Sequence, residues 1–170
     1  MSIIPNFDDE ESDRKFVIIC SKGNLDMAYP ALVLANASLG EGIETHLFFT
    51  FWGFDMITDS RMDSLQLSAV GNTAMHLPIG DKRMPQSLAN FPGMTSISTK
   101  MMKQQIEDLG IPPVREFLDQ IVASGGHLHA CKMSADMNKL TQADLYEGVE
   151  DIINATDFIV MTEGAQILFI

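Results

Sequence analysis

The feature that most constrains the fold is Phe16-Val17-Ile18-Ile19-Cys20, a continuous apolar run too short for a buried helix and bounded by the polar turn Ser21-Lys22-Gly23-Asn24. Such a run is the signature of a strand buried on both faces. A helical pattern follows to about Leu39, with Ala28, Leu32, Ala35 and Leu39 three or four apart, and either Asn24 or Asp26 is placed to cap it. Pro30 lacks an N–H and favours a later helix start or a bend. Gly40-Glu41-Gly42 stops the helix, and Ile43 to Thr50 reads as a second strand. Strand, helix and strand in about 35 residues is a βαβ unit, which requires parallel pairing.

The rhythm then breaks. Phe51-Trp52-Gly53-Phe54 runs straight off the second strand, placing its aromatic residues at the same sheet edge as the Ser21–Asn24 turn. Residues 54–113 form an excursion far longer than an ordinary connection. Ser60 to Ala69 suggests a short helix and Lys100 to Leu109 an amphipathic one, with Gly71-Asn72, Leu77-Pro78, Met84-Pro85 and Phe91-Pro92-Gly93 as punctuation. Seven of the 12 methionines lie here, so the segment is either an adaptable lid or a subunit interface or small-molecule enclosure.

Order returns with Val114 to Ala123, whose apolar stripe is Val114, Phe117, Leu118 and Ile121. A strand follows from Gly126 to about Cys131, then a short helix from Ser134 to Leu140 with Ser134 as its cap. Val149 to Ile153 gives a brief strand, Thr156 to Glu163 a helix capped by Thr156, and Ile167 to Ile170 a last strand. The sum is a three-layer α/β/α sandwich with about five mostly parallel strands, forming one domain over 15–170 behind a polar lead-in at 1–14.

Bulk properties narrow the function. A net charge of -12 on 170 residues disfavours nucleic acid, whose backbone selects clustered Lys and Arg. Two cysteines are no disulfide framework, and the lead-in, with Asp8, Asp9, Glu10, Glu11 and Asp13, does not read as a secretory signal. No stretch reaches the length of a membrane span, so the expectation is a cytoplasmic protein without stable membrane insertion.

The chemistry-bearing stretch is Gly126 to Met137. Cys131 stands where a strand meets a helix; there it is either a reactive thiolate or a buried small side chain. Unpaired N–H groups at the helix start and the neighbouring Lys132 favour the thiolate. His127, His129 and Cys131 alternate and therefore share a strand face, but same-face neighbours stand about 7 Å apart, too far to grip one metal. No metal or other cofactor is expected, and His129 reads as a proton-handling neighbour of Cys131 or a structural histidine. Cys20 sits at the matching edge of the first strand; if strands one and three are neighbours, the two sulfurs form a resolving pair. Ser21, Lys22, Gly23 and Asn24 could present donors to a small sulfur oxyanion, with Trp52 as a pocket wall, but they lack the spacing of a P-loop or dinucleotide site.

Several ordered blocks resemble one family. These are Ser21 to Pro30, Phe48-Phe49-Thr50-Phe51-Trp52-Gly53, Gly71-Asn72-Thr73-Ala74-Met75, Ala130-Cys131-Lys132-Met133-Ser134 with Met137, and Leu168-Phe169-Ile170. From about residue 16 to 170 they are similar to the DsrE/DsrF-like family, closest to its long-insertion branch, often labelled peroxiredoxin-like. The resemblance implies a compact α/β domain that assembles into homo-oligomers. It also implies a cysteine at a strand end, here Cys131, that carries sulfur as a persulfide or thiosulfonate to and from a partner protein. Cys20, His127 and His129 lie outside the family pattern. A peroxidatic Thr-x-x-Cys arrangement with a matched arginine is not evident. The alternatives are a thiol-dependent oxidoreductase using Cys20 and Cys131, or a non-catalytic oligomeric scaffold.

Overall fold

A computed structural model of the chain describes residues 12–76 and 82–170. The Leu77-Pro78 punctuation and most of the lead-in lie outside the described residues, although the first strand already begins at Ser12.

Five strands form one wholly parallel sheet: β1 (Ser12–Cys20), β2 (Ile43–Phe49), β3 (His127–Cys131), β4 (Val149–Ile153) and β5 (Gln166–Phe169), in the order β4-β3-β2-β1-β5. The expected three-layer α/β sandwich is the observed one. Its strand order carries a correction, because β2 lies between β1 and β3, so Cys20 and Cys131 are not on neighbouring strands.

The two faces of the sheet differ. On one, α1 (Leu25–Gly40) and α4 (Val114–Ala123) pack over Ile18, Cys20, Leu47, Phe49, Leu128 and Ala130, which are almost entirely buried. On the other, the short α6 (Ala155–Met161) sets Phe158 against Phe48, with ring centroids 4.3 Å apart, above Val17, Cys131 and Ile153. Seven residues cannot cover a five-stranded face. Ile159, Val160, Ile167 and Phe169 remain exposed, Phe169 at 68%.

Local expectations were met unevenly. Asn24 rather than Asp26 occupies the cap position of α1, and Pro30 lies inside the helix. The first N–H of α1 donates to Gln66 O at 3.0 Å, so the excursion itself supplies a partner to the helix start. Phe51–Met56 is a 3-10 helix rather than an extension of β2. The helix expected over Ser60 to Ala69 shrinks to a 3-10 turn at Met62–Ser64, and the chain then runs extended to reach Thr99, whose hydroxyl accepts from Leu67 N–H. After the four-residue α2 (Gln86–Ala89), α3 (Met94–Asp108) begins six residues before the expected Lys100. The helix after β3 is α5 (Lys132–Asn138), capped by Cys131 and not by Ser134. Asn154, not Thr156, caps α6, accepting from Thr156 N–H and Asp157 N–H at 2.8 and 3.1 Å.

Two glycines allow the 3-10 segment after β2 to dock on the turn after β1. A Cβ on Gly53 would stand 2.0 Å from Cys20 O, and one on Gly23 would stand 2.2 Å from Trp52 O. Both obstacles are backbone atoms, which cannot rotate away. Gly53→Ala is expected to destabilise the fold by about 1–3 kcal/mol through overpacking. Urea unfolding checks this: the midpoint falls while the denaturant slope is unchanged.

Candidate functional site

The parallel register of β2 and β3 builds the site. Phe49 pairs with Ala130, so the next residues, Thr50 and Cys131, emerge side by side at the carboxyl edge. β3 passes into α5 without a loop, and this turns the Ser134 side chain back toward Thr50. The Ser134 hydroxyl lies 3.4 Å from the Thr50 hydroxyl and accepts from Phe51 N–H at 2.8 Å. Phe51 itself has a φ of 47°, a left-handed conformation that is strained for a bulky residue. The bond from its N–H to fully buried Ser134 helps to hold it.

The Cys131 sulfur sits in this cradle. Burial pushes its thiol up, but hydrogen bonding from the Thr50 hydroxyl, the Ser134 N–H and hydroxyl, and the Met133 N–H outweighs burial and holds it below the ordinary value. Because α5 has only seven residues, these local donors, more than a long helix dipole, account for the effect. Cys20 is the opposite case: with no such donors, burial alone pushes it up to about 12. Cys131 keeps 9% of its surface, against 1% for Cys20.

The other residues singled out in the sequence fall into place differently. Cys20 packs in the α1/α4 layer and Cys131 in the α6 layer, on opposite faces and two strand spacings apart, about 10 Å. Both are free thiols, and that separation exceeds disulfide reach, so a resolving pair would require the sheet to come apart. Lys132 turns outward and pairs with Asp136 at 3.2 Å, so its charge is not dedicated to the sulfur. His129 shares the face of Cys131, but both its ring nitrogens are engaged: Nδ1 with Asp151 at 2.7 Å and Nε2 with His46 Nδ1 at 3.0 Å. It therefore has no free nitrogen for the thiol. The histidine rings at 46, 127 and 129 lie in nearly parallel planes, and among the described residues no group of three His, Cys, Asp or Glu could hold a metal ion.

The turn after β1 is largely occupied by the protein's own backbone. Ser21 is buried, with its N–H and hydroxyl both directed to Ile170 O, at 2.6 and 2.8 Å. Gly23, Asn24 and the 62%-exposed Trp52 border an open cleft of about 350 Å³, while Lys22 is exposed. The cleft also contains Asp55, ion-paired to Arg61 at 2.8 Å, so a carboxylate already holds the cation that an oxyanion would seek.

Sequence reasoning missed Thr50 and the His46 network. The signal was present, because Glu44-x-His46 and His127-x-His129 carry the same spacing of two on adjacent strands. Only the pairing of β2 with β3 gives it meaning.

Comparison with known proteins agrees with this fold. Residues 12–170 match the DsrE/DsrF/DrsH-like family, and the chain belongs to that family. It is 33% identical over 138 residues to the sulfur carrier protein DsrE2 of Allochromatium vinosum, covering 81% of this chain and 86% of that protein. It is 25% identical over 161 residues to the uncharacterised protein YrkE of Bacillus subtilis, covering 94% and 99%. Among solved structures, MTH1491 from Methanobacterium thermoautotrophicum, of unknown function, superposes with a TM-score of 0.56 at 10% identity, covering 93% of this chain and all of that one. The ychN protein of E. coli gives 0.51 at 14% identity, covering 92% and 99%; at these identities the likeness is one of fold.

The cradle makes a direct prediction. Alkylation of Cys131 by iodoacetamide, followed against pH in a Cys20→Ser background, should rise with an apparent pKa below that of an ordinary free thiol. The sign follows from the donors: each stabilises the thiolate, so the reactive form persists to lower pH. Thr50→Val removes one donor and should move the midpoint upward. An unmoved midpoint would show that the threonine hydroxyl does not stabilise the thiolate.

Proposed function

We propose that the protein is a sulfur carrier that holds sulfane sulfur or thiosulfate on Cys131 and passes it to a thiol of a partner protein. The observation that carries this reading is the position of Cys131 at the rim of the sheet, where β3 meets α5 beside Thr50 and Ser134, surroundings that favour its charged form. Membership of the family and the likeness to a sulfur carrier support it. In loading, the Cys131 thiolate attacks the terminal sulfur of a donor persulfide, R–S–SH. The donor S–S bond breaks, R–S⁻ leaves, and Cys131 becomes a persulfide. In unloading, an acceptor thiolate R′–S⁻ attacks the same terminal sulfur and Cys131 departs as the thiolate. Each step exchanges one S–S bond for another and needs no external oxidant or reductant. A Cys131 with lowered basicity is the better leaving group in the second step.

The narrow exposure of the sulfur suits delivery by a cysteine-bearing protein at the sheet rim. The cavity of about 320 Å³ between α1 and α3, lined by Leu25, Tyr29, Met62 and Ile106 with Asp63, Lys103 and Glu107, lies on the other side of the sheet and has no part in this reading. The thinly covered face around Ile159, Val160, Ile167 and Phe169 supports assembly into a homo-oligomer, since apolar area of this kind is normally covered. Among the described residues no helix is long and apolar enough to cross a membrane. We place the carrier in the cytoplasm, where thiols such as Cys20 and Cys131 stay reduced. The excursion between β2 and α4 supports placing it in the long-insertion branch of the family. The two-cysteine oxidoreductase is the weaker reading because the thiols lie on opposite faces.

Intact mass after incubation with polysulfide or tetrathionate tests the carrier. One sulfur or one thiosulfate should add to wild type and Cys20→Ser but not to Cys131→Ser. Absence of any adduct, with a control thiol reacting, would end this reading. For the oligomer, Phe169→Glu should lower the sedimentation mass while the far-UV spectrum is retained; a monomeric wild type would remove the assembly proposal.

A further inference from the structure

One cluster on the Cys131 face has no part in the sulfur chemistry described above. Glu44 Oε1 lies 2.8 Å from His46 Nε2, His46 Nδ1 lies 3.0 Å from His129 Nε2, and His129 Nδ1 lies 2.7 Å from Asp151 Oδ1. Three hydrogen bonds thus link two carboxylates through two buried imidazoles across β2, β3 and β4. Each bond requires one proton between its heavy atoms. Two neutral imidazoles supply only two. With both carboxylates ionised, completing the chain takes a third proton shared by the imidazole pair, giving the four groups a net charge of −1. Without it, one contact brings two lone pairs together; with a fourth, two N–H groups collide at the centre.

The surroundings keep Glu44 ionised and set where the imidazoles take up that proton. Lys15 of β1 pairs with Glu44 at 3.1 Å, and its ammonium also donates to Met161 O of α6. Hydrogen bonding from His46 holds the Glu44 carboxyl below its ordinary range, so Glu44 stays ionised. Burial pushes His46 down, with His127 and His129 adding to that effect and Glu44 pulling the other way, so the proton is taken up on the acid side of the usual histidine range. His127 stacks on His46 with centroids 4.7 Å apart and pairs with Glu150 of β4 at 2.7 Å. On α6, Asp157 is committed to the capping box with Asn154.

We propose that Glu44, His46, His129 and Asp151 form a relay that stores one proton between the two imidazoles and, through that charge, stabilises the Cys131 thiolate two residues along β3. His46 and His129 are positioning residues here; neither bonds to the sulfur. Same-face neighbours on a strand are about 7 Å apart, close enough for the change in cluster charge from −2 to −1 to raise the thiolate fraction by up to roughly tenfold. The effect on sulfur release rests on the carrier reading, whereas the proton count does not.

Nitrogen-15 chemical shifts of the histidine rings in the full-length protein, followed from pH 8 to pH 5, test the count. His46 should take up one proton over this range, with intermediate shifts on the two central nitrogens, His46 Nδ1 and His129 Nε2. Two independent full titrations, or none, overturn the relay. In a Cys20→Ser background, the pH profile of Cys131 alkylation should show a second inflection in the histidine range. The double variant His46→Gln, His129→Gln keeps polar side chains but cannot carry the proton; it should remove that inflection and lower the rate below pH 6 by roughly tenfold. Retention of the inflection in a folded His46→Gln, His129→Gln protein overturns the coupling to Cys131. Polysulfide loading of Cys131 reads the carrier separately, so either reading can fail while the other stands.

Discussion

The site depends on the parallel register between β2 and β3. Pairing Phe49 with Ala130 brings Thr50 beside Cys131, and the same register sets His46 beside His127 and within reach of His129. A slip of one residue would move every one of these side chains to the other face of the sheet. The register is held from the opposite side by Leu47, Phe49, Leu128 and Ala130, which are packed under α1 and α4. Apolar packing on one face thus fixes polar geometry on the other, and at about 25 cal/mol per Å² of buried apolar surface that packing is the stronger partner.

The two thiols show how environment separates chemically identical groups. Cys20 ends β1 and Cys131 ends β3, each at the same edge of one sheet. Cys20 faces the thick layer, with apolar neighbours and no donors, and is pushed up to about 12. Cys131 faces the thin layer and the start of α5, where backbone and hydroxyl donors reach its sulfur. Desolvation without compensation favours the neutral thiol; desolvation with directed hydrogen bonds favours the anion. Gly23 and Gly53 contribute indirectly, by letting the segment that follows Thr50 dock close enough for Phe51 N–H to reach Ser134.

Much of the fold was legible in the chain. The apolar runs at Phe16–Cys20 and Ile43–Thr50, joined by a helix-period segment, required parallel pairing, and the later strands and α4 followed from the same patterns. The excursion was harder to read. Met62–Ser64 does not extend into a helix because the chain beyond it is drawn out to Gln66 and Leu67, which bond to the α1 start and to Thr99. Ser134 looked like a cap because it is a hydroxyl residue near a helix start, whereas β3 reaches the helix without a loop and leaves the cap position to Cys131. Lys132 looked like a partner of the thiol by adjacency in sequence, but Asp136, one helical turn later, takes its charge outward.

What the sequence by itself determined is the five strands, the helices that flank them and the position of Cys131 at a strand-to-helix junction. Those follow from local periodicity and turn chemistry, which each segment carries independently. Strand order, by contrast, belongs to no single segment. Only the tertiary structure decided that β2 lies between β1 and β3, which separates Cys20 from Cys131 and brings Thr50 to the sulfur. It alone also joined Glu44, His46, His129 and Asp151 across three strands. Those contacts depend on which backbones share hydrogen bonds, a choice made by the packing of the whole sheet.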